Sequence, residues 1–242
     1  MRVALCLFGH LRSFDRCFNN LKTNVLDPLG PDVFAHAWVD SMGHWLPRSS
    51  IRTDPKVNPG YRTDSPPPSP EYIRAMLEHL RPVDTHLDHY YIHDERFQEL
   101  TDRLKQFWSW ESTNTPKSTF SMTWCREVAI AMKRRRELLQ GWNYDQVICT
   151  RWDINHTKKI DLTENDPNIL TFVKGGGDHP GDTWASGPSH LMDLWGDQYK
   201  GMSELIANNT MDTGPHEWQT AWFNLKQIPW VNRTDIGADV LR

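Results

Sequence analysis

The feature that most constrains this chain is an alternation: short apolar runs of strand length keep giving way to segments with helical period. Residues 2–8 form one such run, stopped at Gly9, and Phe14, Cys17, Phe18, Leu21 and Val25 then recur at helical spacing over 14–26. A second run, Asp32 to Trp38, follows a turn bounded by Pro28 and Pro31. Parallel neighbours need a long crossover, usually a helix, so this order predicts an α/β fold. The expected architecture is a single Rossmann-like domain over 1–242, with a mainly parallel central sheet flanked by helices. Ligands of such folds gather at the carboxyl ends of the strands.

Further along, the pattern predicts a helix from Ser69 or Pro70 to Leu80, a strand near 83–92 and a helix over about 94–108. The longest helix should run from about Phe120 to Gln140, containing Trp124, Val128, Ala131, Met132 and Leu138 and ending at Gly141. Gln146 to Thr150 reads as a fourth strand and 168–174 as a fifth. Helices follow at about 188–197 and 201–208 and after Pro215, with a short strand near 228–231. Between about 42 and 70 neither period survives, and PPPSP at 66–70 marks a long Pro-rich surface loop. The Gly-rich stretch 175–182 reads as a flexible loop.

Composition closes several routes. With 27 basic and 31 acidic side chains the net charge is −4, too balanced to hold nucleic acid or an anionic membrane by its general field. No run reaches transmembrane length, and the apolar start is too short for a signal peptide, so a cytoplasmic protein with no membrane span is expected. Cys6, Cys17, Cys125 and Cys149 form no CxxC pair and read as buried free thiols. The 12 tryptophans are read mostly as core. KRRRE at 133–137 reads as a solvated helix face. P-loop, GxSxG, HExxH and GxGxxG motifs are missing.

Charge sits where strands end. In YDQVICTRWDIN the strand exits onto Arg151, Trp152 and Asp153, although a buried carboxylate is costly unless paired or metal-bound. The first strand exits onto Gly9, His10, Leu11, Arg12 and Ser13. There glycine admits a ligand to the backbone, and a guanidinium can fork onto phosphate. The second strand carries His36 and Trp38. An ion pair that merely caps the strand is the plain alternative for Arg151 and Asp153.

Together these segments resemble the nucleotide-sugar-dependent glycosyltransferases of the GT-A type, especially small viral and bacterial members. The matches are Gly9, His10, Arg12, Ser13 and Phe14; Asp32, Val33, Phe34, His36 and Trp38; and Tyr144, Asp145, Val147, Ile148, Arg151 and Asp153. The resemblance implies that Arg151-Trp152-Asp153 stands in place of the family's D-x-D metal motif, with Asp153 retained and Arg151 departing from it. It also implies a divalent cation, Mn2+ or Mg2+, held by Asp153 with His216 as a late histidine ligand. Gly9, His10, Arg12, Ser13, His36, Trp38, Arg151 and Asp153 are then the expected donor-binding residues.

The carboxylates that could serve an acceptor are Asp178 and Asp182 beside the Gly-rich loop and Glu217 at a helix start. Asp182 and Glu217 are taken as catalytic candidates, since activating a hydroxyl calls for a nearby base. The expected activity is transfer of a sugar from a nucleotide-diphosphate donor to a glycan or other hydroxyl acceptor. The alternative is a nucleotide- or carbohydrate-binding module without turnover.

Overall fold

The computed structural model describes residues 1–11, 13–39, 69–105, 116–174, 179–207 and 215–240. Arg12, Asp178 and the Pro-rich loop, save Ser69 and Pro70, lie outside the described residues.

Strand β1 (Val3–Phe8) is buried throughout and leads into α1 (Phe14–Leu21), which continues through a π-helical turn (Lys22–Leu26) into the short α2 (Asp27–Leu29). β2 (Asp32–Trp38) follows. α3 (Pro70–Leu80) starts where the sequence places it: the Ser69 hydroxyl accepts from the Tyr72 N–H at 3.2 Å, and Pro70 occupies a position whose N–H would lack an intrahelical partner. Then come β3 (Asp84–Asp88), α4 (Tyr90–Lys105), the 25-residue α5 (Pro116–Gln140), β4 (Gln146–Arg151) and β5 (Ile154–His156). The chain continues through β6 (Leu170–Lys174), β7 (Pro180–Gly187), α6 (Ser189–Gly196), α7 (Gln198–Ala207) and α8 (Pro215–Lys226). It closes with β8 (Trp230–Arg233) and β9 (Ala238–Val240).

Among the described residues seven strands form one sheet in the order β3-β2-β1-β4-β7-β6-β8, and β5 pairs with β9 in a small second sheet. The pairs β1–β2, β1–β4, β2–β3 and β6–β8 are parallel; only β7 runs against its neighbours. The α/β expectation, a mostly parallel sheet flanked by helices, is met. β7 was missed, because the glycines and aspartates at 175–182 read as loop while Trp184 to Gly187 carry too little strand signal of their own. β3 is shorter than expected because helix α4 already begins at Tyr90.

Alternation along the strands feeds two cores. Ala4, Cys6, Phe8, Phe34 and Trp38 face the layer of α4 to α8, while Leu5, Leu7, Val33 and Ala35 face that of α1 and α3. Helix α5 buries Phe120, Cys125, Ala129, Ile130 and Met132, with Trp124 and Val128 packed at the edge of that core, while Leu138 is 83% exposed.

The solvated reading of 133–137 is corrected. Lys133 is wholly buried and meets Glu137 and Asp193 at 2.7 Å each, while Arg134 meets Asp193 at 3.0 Å and Asp197 at 2.7 Å. Helix α6 and the turn after it supply the acids that sequence proximity did not reveal. All four cysteines are free and buried. Among the described residues no helix is long and apolar enough to cross a membrane.

Candidate functional site

The order of the sheet decides where a ligand can sit. From β1 the chain adds β2 and β3 on one side, whereas β4 lies on the other, so the topology reverses between β1 and β4. A crevice opens at the carboxyl ends of strands that part in this way. Phe8, the last residue of β1, is in register with Arg151, the last of β4. The Gly9-His10 turn and the Arg151-Trp152-Asp153 triplet therefore leave the sheet side by side.

Gly9 takes φ +99°, a conformation that favours glycine, and a Cβ there would meet no described atom within 4 Å. Its carbonyl accepts from the Trp38 N–H at 3.2 Å, and His10 bridges to Trp38, which ties this turn to the end of β2. Ser13 begins α1, its carbonyl accepting from the N–H groups of Arg16 and Cys17.

The triplet is tightly held. Arg151 Nε donates to Asp153 Oδ1 at 2.8 Å, and a second guanidinium nitrogen donates to Oδ2. Asp153 is 1% exposed and the Arg151 side chain 18%. Burial pulls the Arg151 pKa down, but the charge and hydrogen bonds of Asp153, with Asp182 beyond, raise it above the ordinary arginine value. Trp152 is buried edge-on against Phe14, with ring centroids 5.0 Å apart, and its indole N–H donates to the His36 carbonyl at 2.8 Å.

Asp182 stands near the start of β7, two residues before Trp184, which pairs with Thr150 of β4. Its charge also bears on Arg126 of α5, a fully buried guanidinium stacked 4.0 Å over Trp195 and donating to Gln198. Burial lowers the Arg126 pKa to about 10. The start of α8 is fastened to the start of β7: His216 Nδ1 lies 3.1 Å from the Pro180 carbonyl, and the Gln219 amide donates to that of Gly181 at 3.0 Å. Glu217 stands 3.9 Å from His179.

Some expected residues are placed in other company. Trp38 is 1% exposed, packs against Tyr90 and His93, and donates from its indole to Ser121 at 3.1 Å, so its ring belongs to the core. His36 is wholly buried beside Trp38 and His86, with Nε2 3.6 Å from Asp88. Asp88, at the end of β3, also receives His93 at 3.0 Å and His86 at 3.5 Å, and the Trp124 indole donates to it at 3.1 Å. Burial raises its pKa, but the hydrogen bonds from His36, Trp124 and His93 outweigh that and hold the carboxyl well below its usual range. Sequence reasoning passed over Asp88, although it too is a charge at a strand exit.

Asp153 and His216, the expected cation ligands, each have a partner within the protein. Both oxygens of Asp153 accept from Arg151 and His216 engages Pro180. Among the described residues no group of three or more His, Cys, Asp or Glu is arranged to hold a metal.

No family model matches the chain, and no curated protein does. Among solved structures, mouse xyloside xylosyltransferase 1 in its apo form aligns with a TM-score of 0.47 and 7% identity, over 96% of this chain and 84% of that one.

Proposed function

We propose that the chain is a glycosyltransferase that moves a sugar from a nucleotide-diphosphate donor to a glycan or other hydroxyl acceptor. The observation that carries this reading is the register of Phe8 with Arg151 at the point where the strand order reverses, which sets an open glycine turn beside a held guanidinium. The diphosphate lies against the Gly9-His10 turn, with Arg12 and Ser13 completing its cradle, and Arg151 faces the departing phosphate oxygen. Positive charge fixed before the reaction, where negative charge develops, does most to lower the barrier in such a site. Asp153 keeps the guanidinium oriented.

In the transfer step the acceptor oxygen bonds to the anomeric carbon while the bond from that carbon to the phosphate oxygen breaks. Asp182, or Glu217 at the start of α8, takes the acceptor proton, and the nucleoside diphosphate leaves with the bonding pair.

The test is release of nucleoside diphosphate from a panel of nucleotide sugars, with and without Mn2+, and with mixed oligosaccharide acceptors. Turnover that is lost in Asp182→Asn or Glu217→Gln, with melting temperature and donor binding retained, supports the reading. Donor binding without turnover across the panel would make the chain a binding module. The absence of both would overturn the proposal.

A further inference from the structure

His179 precedes β7 and meets the first turns of α8, at the sheet edge that also carries Arg151. β7 runs against β4 with Trp184 opposite Thr150, so the chain just before Pro180 lies at the carboxyl end of β4. The ring is held in one setting. The His179 carbonyl accepts from the Asn232 side-chain amide on β8 at 2.9 Å, and Nδ1 lies 3.0 Å from the Thr220 hydroxyl on α8. That hydroxyl has one proton and gives it to the His216 carbonyl at 3.0 Å. Its oxygen must therefore accept from His179, which places the ring proton on Nδ1 and, in the neutral ring, leaves the lone pair on Nε2.

Glu217 Oε1 stands 3.9 Å from this Nε2, and the two side chains are 37% and 30% exposed, open to a molecule at the sheet edge. The pair is too far apart for a direct hydrogen bond. A hydroxyl oxygen can still approach both atoms to about 2.8 Å and direct its proton between them, in a three-centre bond. Carboxylate and bare imidazole nitrogen are both acceptors, so the pair suits a neutral group that gives up a proton. Imidazole is the stronger base of the two side-chain types. A proton drawn off by the pair thus comes to rest on Nε2, where the carboxylate charge stabilises the imidazolium.

We propose that His179 is a further catalytic residue of the transfer reaction, sharing with Glu217 the proton of the acceptor hydroxyl. This rests on the function proposed above and takes Glu217, rather than Asp182, as the carboxylate that meets the acceptor. As the acceptor oxygen bonds to the anomeric carbon its O–H bond breaks, and the proton, drawn toward the carboxylate, settles on Nε2. The nucleoside diphosphate leaves with the electron pair of the breaking C–O bond. Thr220 is a positioning residue, because its oxygen keeps the ring proton on Nδ1.

The test uses the full chain with a donor and acceptor that give turnover. His179→Gln should lower kcat by about a hundredfold or more, with melting temperature and donor KM retained. Glu217→Gln should lose a comparable factor, and the double variant should be hardly slower than the slower single variant, since both groups act on one proton. Thr220→Val should cost about tenfold in kcat, and Thr220→Ser, which keeps the hydroxyl, should restore it. Long-range 15N–1H correlation spectra of the neutral ring should place its proton on Nδ1. A proton on Nε2 there, a wild-type rate in His179→Gln, or losses that multiply in the double variant would each overturn the inference and leave the transfer reading standing. A wild-type chain with no turnover on any donor would overturn the transfer reading and this inference with it.

Discussion

The indole N–H of Trp152 donates to the backbone carbonyl of His36 at 2.8 Å, reaching past β1 to join the end of β4 to β2. The two segments with strand-exit charge are thereby locked in one geometry, 116 residues apart in sequence. Trp152→Phe keeps the apolar contact with Phe14 and loses this buried bond. The expected cost is about 1 kcal/mol in urea denaturation, with an unchanged dependence on denaturant.

His156 supplies a pH dependence. Its ring is wholly buried and neither nitrogen has a described partner, and burial pushes its pKa from 6.5 down to about 4. The unfolded chain takes up this proton near 6.5 and the folded chain only near 4, so below pH 6.5 the unfolded state binds more protons. The contribution of a neutral His156 is complete at pH 7.5 and shrinks as the pH falls, reaching a loss of roughly 3 kcal/mol near pH 4. Urea denaturation at pH 7.5 and 5 should show the fall, and His156→Leu should flatten it. Parallel curves for the two proteins would show that another group is responsible.

Much of this architecture was legible because the strands β1, β2 and β4 are continuous apolar runs and the helices between them carry clear period. The exits of those strands were legible for the same reason, since a charge that ends an apolar run stands out. What sequence could not give were pairings fixed only by tertiary approach. Lys133 looks like a surface lysine until α6 brings Asp193 to it. Trp38 stands among the expected donor-binding residues, yet Ser121 and Tyr90 enclose it. Arg126 and Asp88 were passed over because each sits among residues of unremarkable pattern, and only burial makes them conspicuous.

Close packing at Gly201 yields another prediction. A Cβ at this position of α7 would fall inside the van der Waals envelope of the Trp222 ring on α8, and Trp222 is itself 3% exposed and unable to retreat. Gly201→Ala gains helix propensity of at most about 1 kcal/mol and loses more to overpacking, for a net destabilisation of about 1–2 kcal/mol. An unchanged or higher denaturation midpoint would show that α7 and α8 separate easily.

The thiols should be silent in the native protein. Burial raises Cys6 to about 12 and Cys17 to about 11, and it holds Cys125 and Cys149 well above the ordinary value as well. A thiol reagent at pH 8 should find almost no reactivity before denaturation and four free thiols after it. Rapid native labelling of one of them would locate a segment that opens.

Arg151 and Asp153 allow the sharpest test, because structure and proposed function predict different things of each. Asp153 is buried and both of its oxygens accept from Arg151, so removing either partner breaks a buried ion pair. Asp153→Asn and Arg151→Ala should each lower stability, by about 3 kcal/mol in urea denaturation. Ligand binding should separate them. Calorimetry with a nucleoside diphosphate should show Arg151→Ala weakened by about tenfold or more, with or without Mn2+, as expected when a charge-assisted bond worth about 1.5–3 kcal/mol is lost. Arg151→Lys keeps the charge without the fork geometry and should recover only part of that affinity. Asp153→Asn, which loosens the guanidinium without removing it, should cost less metal-free affinity than Arg151→Ala and should abolish any part that depends on Mn2+. If both variants lose stability and neither alters binding, the triplet is a clasp that closes the end of β4, and the diphosphate must be sought elsewhere on the sheet edge.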